Sequence, residues 1–314
     1  MGPRREAGRI GRGQAEGCVV QPLWGAATDA GGRRRVNEDA VLARPPVFLV
    51  SDGMGGHRYG EVAAQCVVRA FAHFADRLAP GAPVEPEQVD DVIRSAQGLI
   101  RTRLGAGLPG QRGGSVVEDQ AAEHHAGQSP IAGATVTGAI LTTRGQTPYW
   151  LVFNVGDSRV YRFDDSGLKQ ISVDHSEVQE LVDAGTITPQ AARSHPGRNV
   201  ITRAIDDVHP VRADYWMLHA GERQRLLLCS DGLVGELGTD QIADLMAADR
   251  SPAQASADLV RCAVAGGAHD NVSAVVVQPP AGAGVGTTVP QPMAPWAEED
   301  LDDTIPRTGA GVPR

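Results

Sequence analysis

The feature that most limits how this chain can fold is the placement of its aspartates. Short apolar runs, each bounded by turn residues, repeatedly meet an acid that sits beside glycine or asparagine. Val47-Phe48-Leu49-Val50-Ser51 runs into Asp52-Gly53, and Leu226-Leu227-Leu228-Cys229-Ser230 runs into Asp231-Gly232. Asn154-Val155-Gly156-Asp157 separates two further runs, Asp270-Asn271 precedes another, and Asn37-Glu38-Asp39 lies just before the Val47 run. Such runs read as strands, here 47–51, 135–142, 150–155, 159–163, 226–230 and 272–277. An apolar strand must bury itself, so each acid is fixed at the edge of a sheet. Carboxylates that converge on one rim repel one another and resist ionisation. A cation removes that conflict, and all-oxygen ligands favour hard ions such as Mg²⁺ or Mn²⁺. Taken singly, each acid reads first as turn chemistry, because Asp-Gly makes hairpin turns and Asx turns. Five acidic sites beside apolar strands are more than turns require.

Helical patterns lie between the strands. Val62, Cys66, Val67, Ala70, Phe71, Phe74 and Leu78 recur at spacings of three and four, as do Val89, Val92, Ile93, Ala96, Leu99 and Ile100. Pro252 suits the first turn of a third helix. Adjacent helices followed by clustered strands predict a layered α+β fold rather than regular βαβ alternation. Hydrophobic residues are 41% of the 314, enough for a sizeable core, and aromatics only 4%, so an aliphatic core is expected. The folded body is expected at 22–278, after a mildly basic N-terminal tail, 1–21. A loop rich in Gly, Gln, Ser and Ala falls at about 105–130. The stretch 279–314, Pro- and Gly-rich and then acidic, reads as disordered.

Charge and cysteine usage exclude several classes. A net charge of −9 leaves no basic footprint for nucleic acid. No apolar run is long enough to span a membrane, and the N-terminus has no apolar signal core. Cys18, Cys66, Cys229 and Cys262 lack the close spacings of zinc sites and read as reduced thiols of a cytoplasmic protein.

The ordered series Asp29-Ala-Gly-Gly-Arg-Arg34-Arg-Val-Asn-Glu38-Asp39, Asp52-Gly-Met-Gly-Gly-His57, Gly133-Ala-Thr135, Asn154-Val-Gly-Asp157-Ser-Arg159, Asp174-His175-Ser176, Cys229-Ser-Asp231-Gly-Leu233 and Asp270-Asn271 resembles the metal-dependent, type 2C Ser/Thr protein phosphatases in their bacterial form. The likeness covers about 24–278. It implies a four-layer αββα sandwich and two Mn²⁺ or Mg²⁺ ions, with a third, weaker ion in bacterial members. By the same resemblance Asp52 bridges the two ions and the Gly53 carbonyl binds the first. Glu38, Asp231 and Asp270 hold the second, Asp157 with Asp231 the third. Asp39 hydrogen-bonds metal-bound water, and Arg34, chosen over Arg33 and Arg35 by spacing, binds phosphate. Met54 stands where some members carry a proposed general-acid histidine. His57 is read as a loop residue, and His175 as a local hydrogen-bonding group at a turn.

The activity implied is hydrolysis of phosphoserine or phosphothreonine by a metal-bridging hydroxide, opposing bacterial Ser/Thr kinases. Two alternatives stand beside it: a catalytically inactive phosphoprotein-binding module, and a phosphatase of a partner-switching regulator. Partners are then phosphorylated proteins, namely Ser/Thr kinases and their substrates. A forkhead-associated domain is a further partner, through phosphorylated Thr304 in the acidic stretch Glu298-Glu-Asp-Leu-Asp-Asp-Thr304.

Overall fold

The computed structural model describes residues 21–55, 58–79, 81–105, 132–145, 147–247 and 249–279. In chain order the strands are β1 (Leu23–Asp29), β2 (Ala40–Arg44), β3 (Val47–Ser51), β4 (Gly53–Met54), β5 (Gly133–Ala134), β6 (Val136–Arg144), β7 (Thr147–Val155), β8 (Arg159–Asp164), β9 (Gly167–Gln170), β10 (Ile205–Asp206), β11 (Asp214–His219), β12 (Arg225–Cys229) and β13 (Val272–Gln278). The helices are α1 (Arg58–Ala75), α2 (Pro86–Gly105), α3 (Glu177–Asp183), α4 (Pro189–Ala192), α5 (Asp231–Glu236), α6 (Thr239–Leu245) and α7 (Pro252–Ala265).

Two five-stranded sheets form, in the orders β1-β13-β12-β8-β9 and β11-β7-β6-β3-β2, with a small third sheet, β10-β5-β4. The continuous apolar runs follow from burial on both faces, because successive strand side chains point opposite ways. In β3, Val47 and Leu49 pack under the helices, while Phe48 and Val50 face the opposite sheet. In β12 and β13, Leu227, Cys229, Ala274 and Val276 face helices. Leu226, Leu228, Val275 and Val277 face the other sheet. α1 and α2 cover one sheet, and α5, α6 and α7 the other. The result is the expected αββα sandwich, with an apolar layer between sheets and one under each helical layer.

Pro252 does open α7, behind the Ser251 N-cap and a capping box closed by Gln254. The core is less purely aliphatic than composition suggested. The few aromatics concentrate in it as pairs, Phe71 stacked on Phe153 at 5.1 Å and Phe48 edge-on to Trp150 at 6.1 Å. Among the described residues no helix is long and apolar enough to cross a membrane. Cys66, Cys229 and Cys262 are free thiols, and Cys18 lies outside the described residues. So do His57, nearly all of the N-terminal stretch and the 105–130 loop, and the chain from 280 onward.

The sandwich has two poles. Asp39 reaches Ser230 at the end of β12 and Ser273 at the start of β13, and its neighbour Ala40 pairs with Ser51. That fixes the C-terminal ends of β3 and β12 at one pole, with the start of β13. Arg44, Val47, Arg225 and Gln278 therefore lie at the other.

Candidate active site

The first pole gathers the acids singled out in the sequence. Asp52 leaves β3 under a clamp made by Thr135, which sits in the break between β5 and β6. The Asp52 amide donates to Thr135 Oγ1 at 3.0 Å, and the Thr135 amide donates to the Asp52 carbonyl at 2.8 Å. Thr135 Oγ1 is also 2.8 Å from Ser158 Oγ, so one hydroxyl links the Asp52 and Asp157 turns. Gly53 is required by close approach. A Cβ there would lie 2.2 Å from the Gly60 carbonyl and 2.7 Å from that of Glu38, which is how the start of α1 packs onto the strand end. The Glu38 carboxylate lies over Gly60, and the Glu38 amide donates to Asn271 Oδ1 at 2.8 Å.

Asp39 is buried. Its Oδ2 accepts from Ser230 Oγ at 2.8 Å and Ser273 Oγ at 2.7 Å, while its Oδ1 has no hydrogen-bond partner. The Ser230 hydroxyl is diverted to this task. Ser230 is the N-cap of α5, yet its side chain makes no cap hydrogen bond. Burial pushes the Asp39 carboxyl up to about 7, against the two serine hydrogen bonds, with Asp231 and Asp270 adding repulsion. Asp52 is pushed well above the usual carboxylate range, first by burial and then by Asp39, Asp231, Asp157 and Asp270. Asp231 rises by burial and the Asp270 charge, partly offset by a hydrogen bond with Asp52. Asp157 rises to about 7 by burial, then by Asp231 and Asp174, and its buried Oδ1 also lacks a partner.

The Asp157 turn is held from behind. Gly156 adopts φ +105°, and a Cβ there would meet Thr135 Cγ2 at 2.5 Å. His175 grips this turn twice. Its Nδ1 accepts from the Gly156 amide at 2.9 Å, and its own amide donates to the Gly156 carbonyl at 2.9 Å. The ring proton therefore sits on Nε2, which donates to Asp214 Oδ2 at 3.0 Å. Arg203 donates to the other Asp214 oxygen at 2.7 Å. His175 is thus not a local turn group. It ties the Asp157 loop to β11 across 39 residues. His175→Ala should cost about 3 kcal/mol of stability, read as a lower urea midpoint, because it leaves a buried N–H and a buried carboxylate oxygen without partners. An unchanged midpoint would refute that role.

Arg34 stands at the same rim, bound to Asp270 through Nη2 and Oδ2 at 2.8 Å. It is therefore not apart from the acids, as a purely phosphate-facing arginine would be. A cleft of about 680 Å³ opens on Asp157 and Asp231, with Arg193, Arg198 and Asn199 on its far wall. Spacing could not reveal Ser230, Ser273, Thr135 and Asn271 as the residues that orient the acids. The only signal was that Ser230, Thr135 and Asn271 belong to a motif, and Ser273 carried none.

The donor set suits a hard cation. It is all oxygen, and it contains two buried carboxylate oxygens without partners and carboxyls raised by burial and, less, by neighbouring acids. Among the described residues no group of three or more His, Cys, Asp or Glu is already arranged to hold an ion.

The family profile of "Protein phosphatase 2C" matches residues 32–264. The chain belongs to that family. The serine/threonine protein phosphatase PstP of Mycobacterium tuberculosis is 34% identical over 92% of this chain. This chain spans about half of PstP, 51% of its length. The serine/threonine phosphatase stp of Listeria welshimeri is 28% identical over 80% of this chain and 93% of its own. The crystal structure of the PstP catalytic domain in complex with two manganese ions superposes with a TM-score of 0.67 at 31% identity, covering 82% of this chain and 98% of that one.

Proposed function

We propose that the chain is a Mn²⁺- or Mg²⁺-dependent protein-serine/threonine phosphatase whose domain is the 22–278 body. The observation that carries this reading is the buried acid rim around Asp52, with two partnerless carboxylate oxygens and an arginine beside it. Asp52, Glu38, Asp231, Asp270 and the Gly53 carbonyl are assigned to two ions, and Asp157 with Asp231 to a third, weaker one. Such a pair of ions, when bound, acidifies a shared water at neutral pH and neutralises phosphoryl charge.

The chain's own groups do the rest. The two serines orient Asp39, leaving Oδ1 to accept a hydrogen bond from water. Arg34 spends one nitrogen on Asp270 and keeps the other guanidinium donors for phosphate oxygens. The cleft beside Asp157 receives the peptide flank. No cysteine serves as nucleophile. The Cys229 thiol is buried and pushed up to about 12, out of reach of thiolate chemistry at neutral pH.

The phosphoproteins in view are Ser/Thr kinases and their substrates in a cytoplasmic setting. A forkhead-associated domain that captures phosphorylated Thr304 is a finer reading of the same kind, on a residue outside the described ones.

Hydrolysis of p-nitrophenyl phosphate and of a phosphothreonine peptide tests the proposal. EDTA should abolish turnover of both and Mn²⁺ restore it, whereas full turnover in EDTA refutes the reading. Peptide binding without turnover in Mn²⁺ would instead mark an inactive binding module. Arg34→Ala should raise KM for the peptide about tenfold with a smaller change in kcat. The Asp270 contact adds a modest loss of Mn²⁺ affinity. If Arg33→Ala or Arg35→Ala gives the KM effect instead, the assignment of Arg34 fails.

A further inference from the structure

The outer face of the α1–α2 layer carries a cationic groove well away from the acids. Arg69 and His73 lie one turn apart on α1, and Arg77 follows four residues on, in the turn just past its end. All three are exposed. With Ser95 of α2 they line a groove of about 320 Å³ that has Val92 and Leu99 for apolar walls. Arg103, exposed near the end of α2, adds a further positive charge close to Cys66 and Arg69. Among the described residues no acid lines the groove, and neither Arg69, His73, Arg77 nor Arg103 makes an ion pair.

The same chain supplies a matching anion. Residues 296–303 read Trp296-Ala297-Glu298-Glu299-Asp300-Leu301-Asp302-Asp303, five acids with two large apolar side chains. The exit geometry brings this segment within reach. β13 leaves the sandwich at the pole opposite the acid rim. α1 ends at that same pole, where Asp76 just beyond it is ion-paired to Arg44. Seventeen residues, 280–296, lead from there to Trp296. Fully extended they reach roughly 55 Å, more than the diameter of a domain this size, about 45 Å. Tethering gives the segment an effective concentration on the order of millimolar, so weak individual contacts suffice.

We propose that segment 296–303 docks into the groove between α1 and α2. The indole of Trp296 lies against Val92 and Leu99, and the acids lie along Arg69, Arg77 and Arg103. The acidic stretch is then an intramolecular latch on the helical face remote from catalysis.

Acrylamide quenching of the full chain tests this, with the Trp296 component taken as the difference from the Trp296→Phe chain. Trp150 and Trp216 are buried and Trp24 is exposed, and all three are present in both chains, so their contribution cancels in the difference. In the wild type the Trp296 component should be quenched about fivefold less than free N-acetyltryptophanamide. Protection should be lost in Arg69→Glu/Arg77→Glu and at high salt. It should also be lost in Glu298→Lys/Asp300→Lys, which alters nothing in the folded body, and return when the two reversals are combined. Quenching equal to the free compound in the wild type would overturn the proposal. Protection that disappears on dilution would assign the groove to a second copy, and protection that survives both reversals would place the segment elsewhere. Either result would overturn it too.

Discussion

Asp52→Asn should abolish turnover and, in the same protein freed of metal, raise resistance to unfolding. Asp52 lies at the centre of the rim. Burial and the charges of Asp39, Asp231, Asp157 and Asp270 all oppose its ionisation. An amide of the same shape keeps the packing and removes a buried like charge from a crowd of acids. The expected gain is about 1–3 kcal/mol, read as a higher urea midpoint in EDTA near pH 8. The same change removes the proposed bridging carboxylate, so activity with saturating Mn²⁺ should fall on the order of 10³-fold or more. The two readouts move in opposite directions, which separates loss of function from loss of fold. An active Asn variant would refute the bridging role. An inactive variant with a lowered midpoint would mean that Asp52 stabilises the fold rather than straining it.

The metal-free protein should also lose stability as pH rises from about 4 to about 8, the reverse of an ordinary acid-denaturation limb. Asp39 and Asp157 titrate near 7 in the folded state against an ordinary value of 3.8. Between those values the unfolded chain has released the two protons and the folded chain still holds them. The folded state binds more protons, so the unfolding free energy falls with pH, by at most about 1.4 kcal/mol per pH unit for each group. The loss levels off above the folded-state values. Other carboxylates act in the opposite sense. Asp214 is held below its usual range because hydrogen bonds from His175 and Arg203 outweigh its burial. Its contribution is present above the ordinary carboxylate value and fades in more acidic solution. Urea titrations in EDTA at about pH 5 and about pH 8 should therefore favour the lower pH, and saturating Mn²⁺ should reverse the order by stabilising the ionised acids. A metal-free protein that gains stability over this range would show that the rim does not carry shared protons.

The prominence of the centre over the edges shows what was legible in the chain. The six apolar runs correspond to β3, β6, β7, β8, β12 and β13, the inner strands of the two five-stranded sheets. The edge strands β1, β2, β9 and β11 are not among the six, although β2 (40–43) and β11 (215–218) each contain a short apolar run. An inner strand is covered by helices on one face and by the other sheet on the second, so apolar residues dominate it, although β8 admits Arg159, Arg162 and Asp164. An edge strand can be partly open to water, as in β1, where Leu23 and Trp24 are exposed, whereas β11 is buried over most of its length. The acid rim was equally legible, because an aspartate that ends a buried strand has nowhere to go except the pole of the sheet. By itself, then, the sequence determined the inner strands, the two long helices packed on one sheet, the Pro252 start of α7 and the identity of the acids.

Only the tertiary structure decided which groups orient those acids. Ser230 and Ser273 reach Asp39 across 191 and 234 residues, and Asn271 reaches the Glu38 amide across 233. His175 braces the Asp157 turn against Asp214, and Arg34 lies on Asp270. Hydroxyl, amide and imidazole groups have short reach and no periodicity, so their partners are set by where the two sheets bring separate loops together. Residue type and spacing hold no record of that until the sandwich closes.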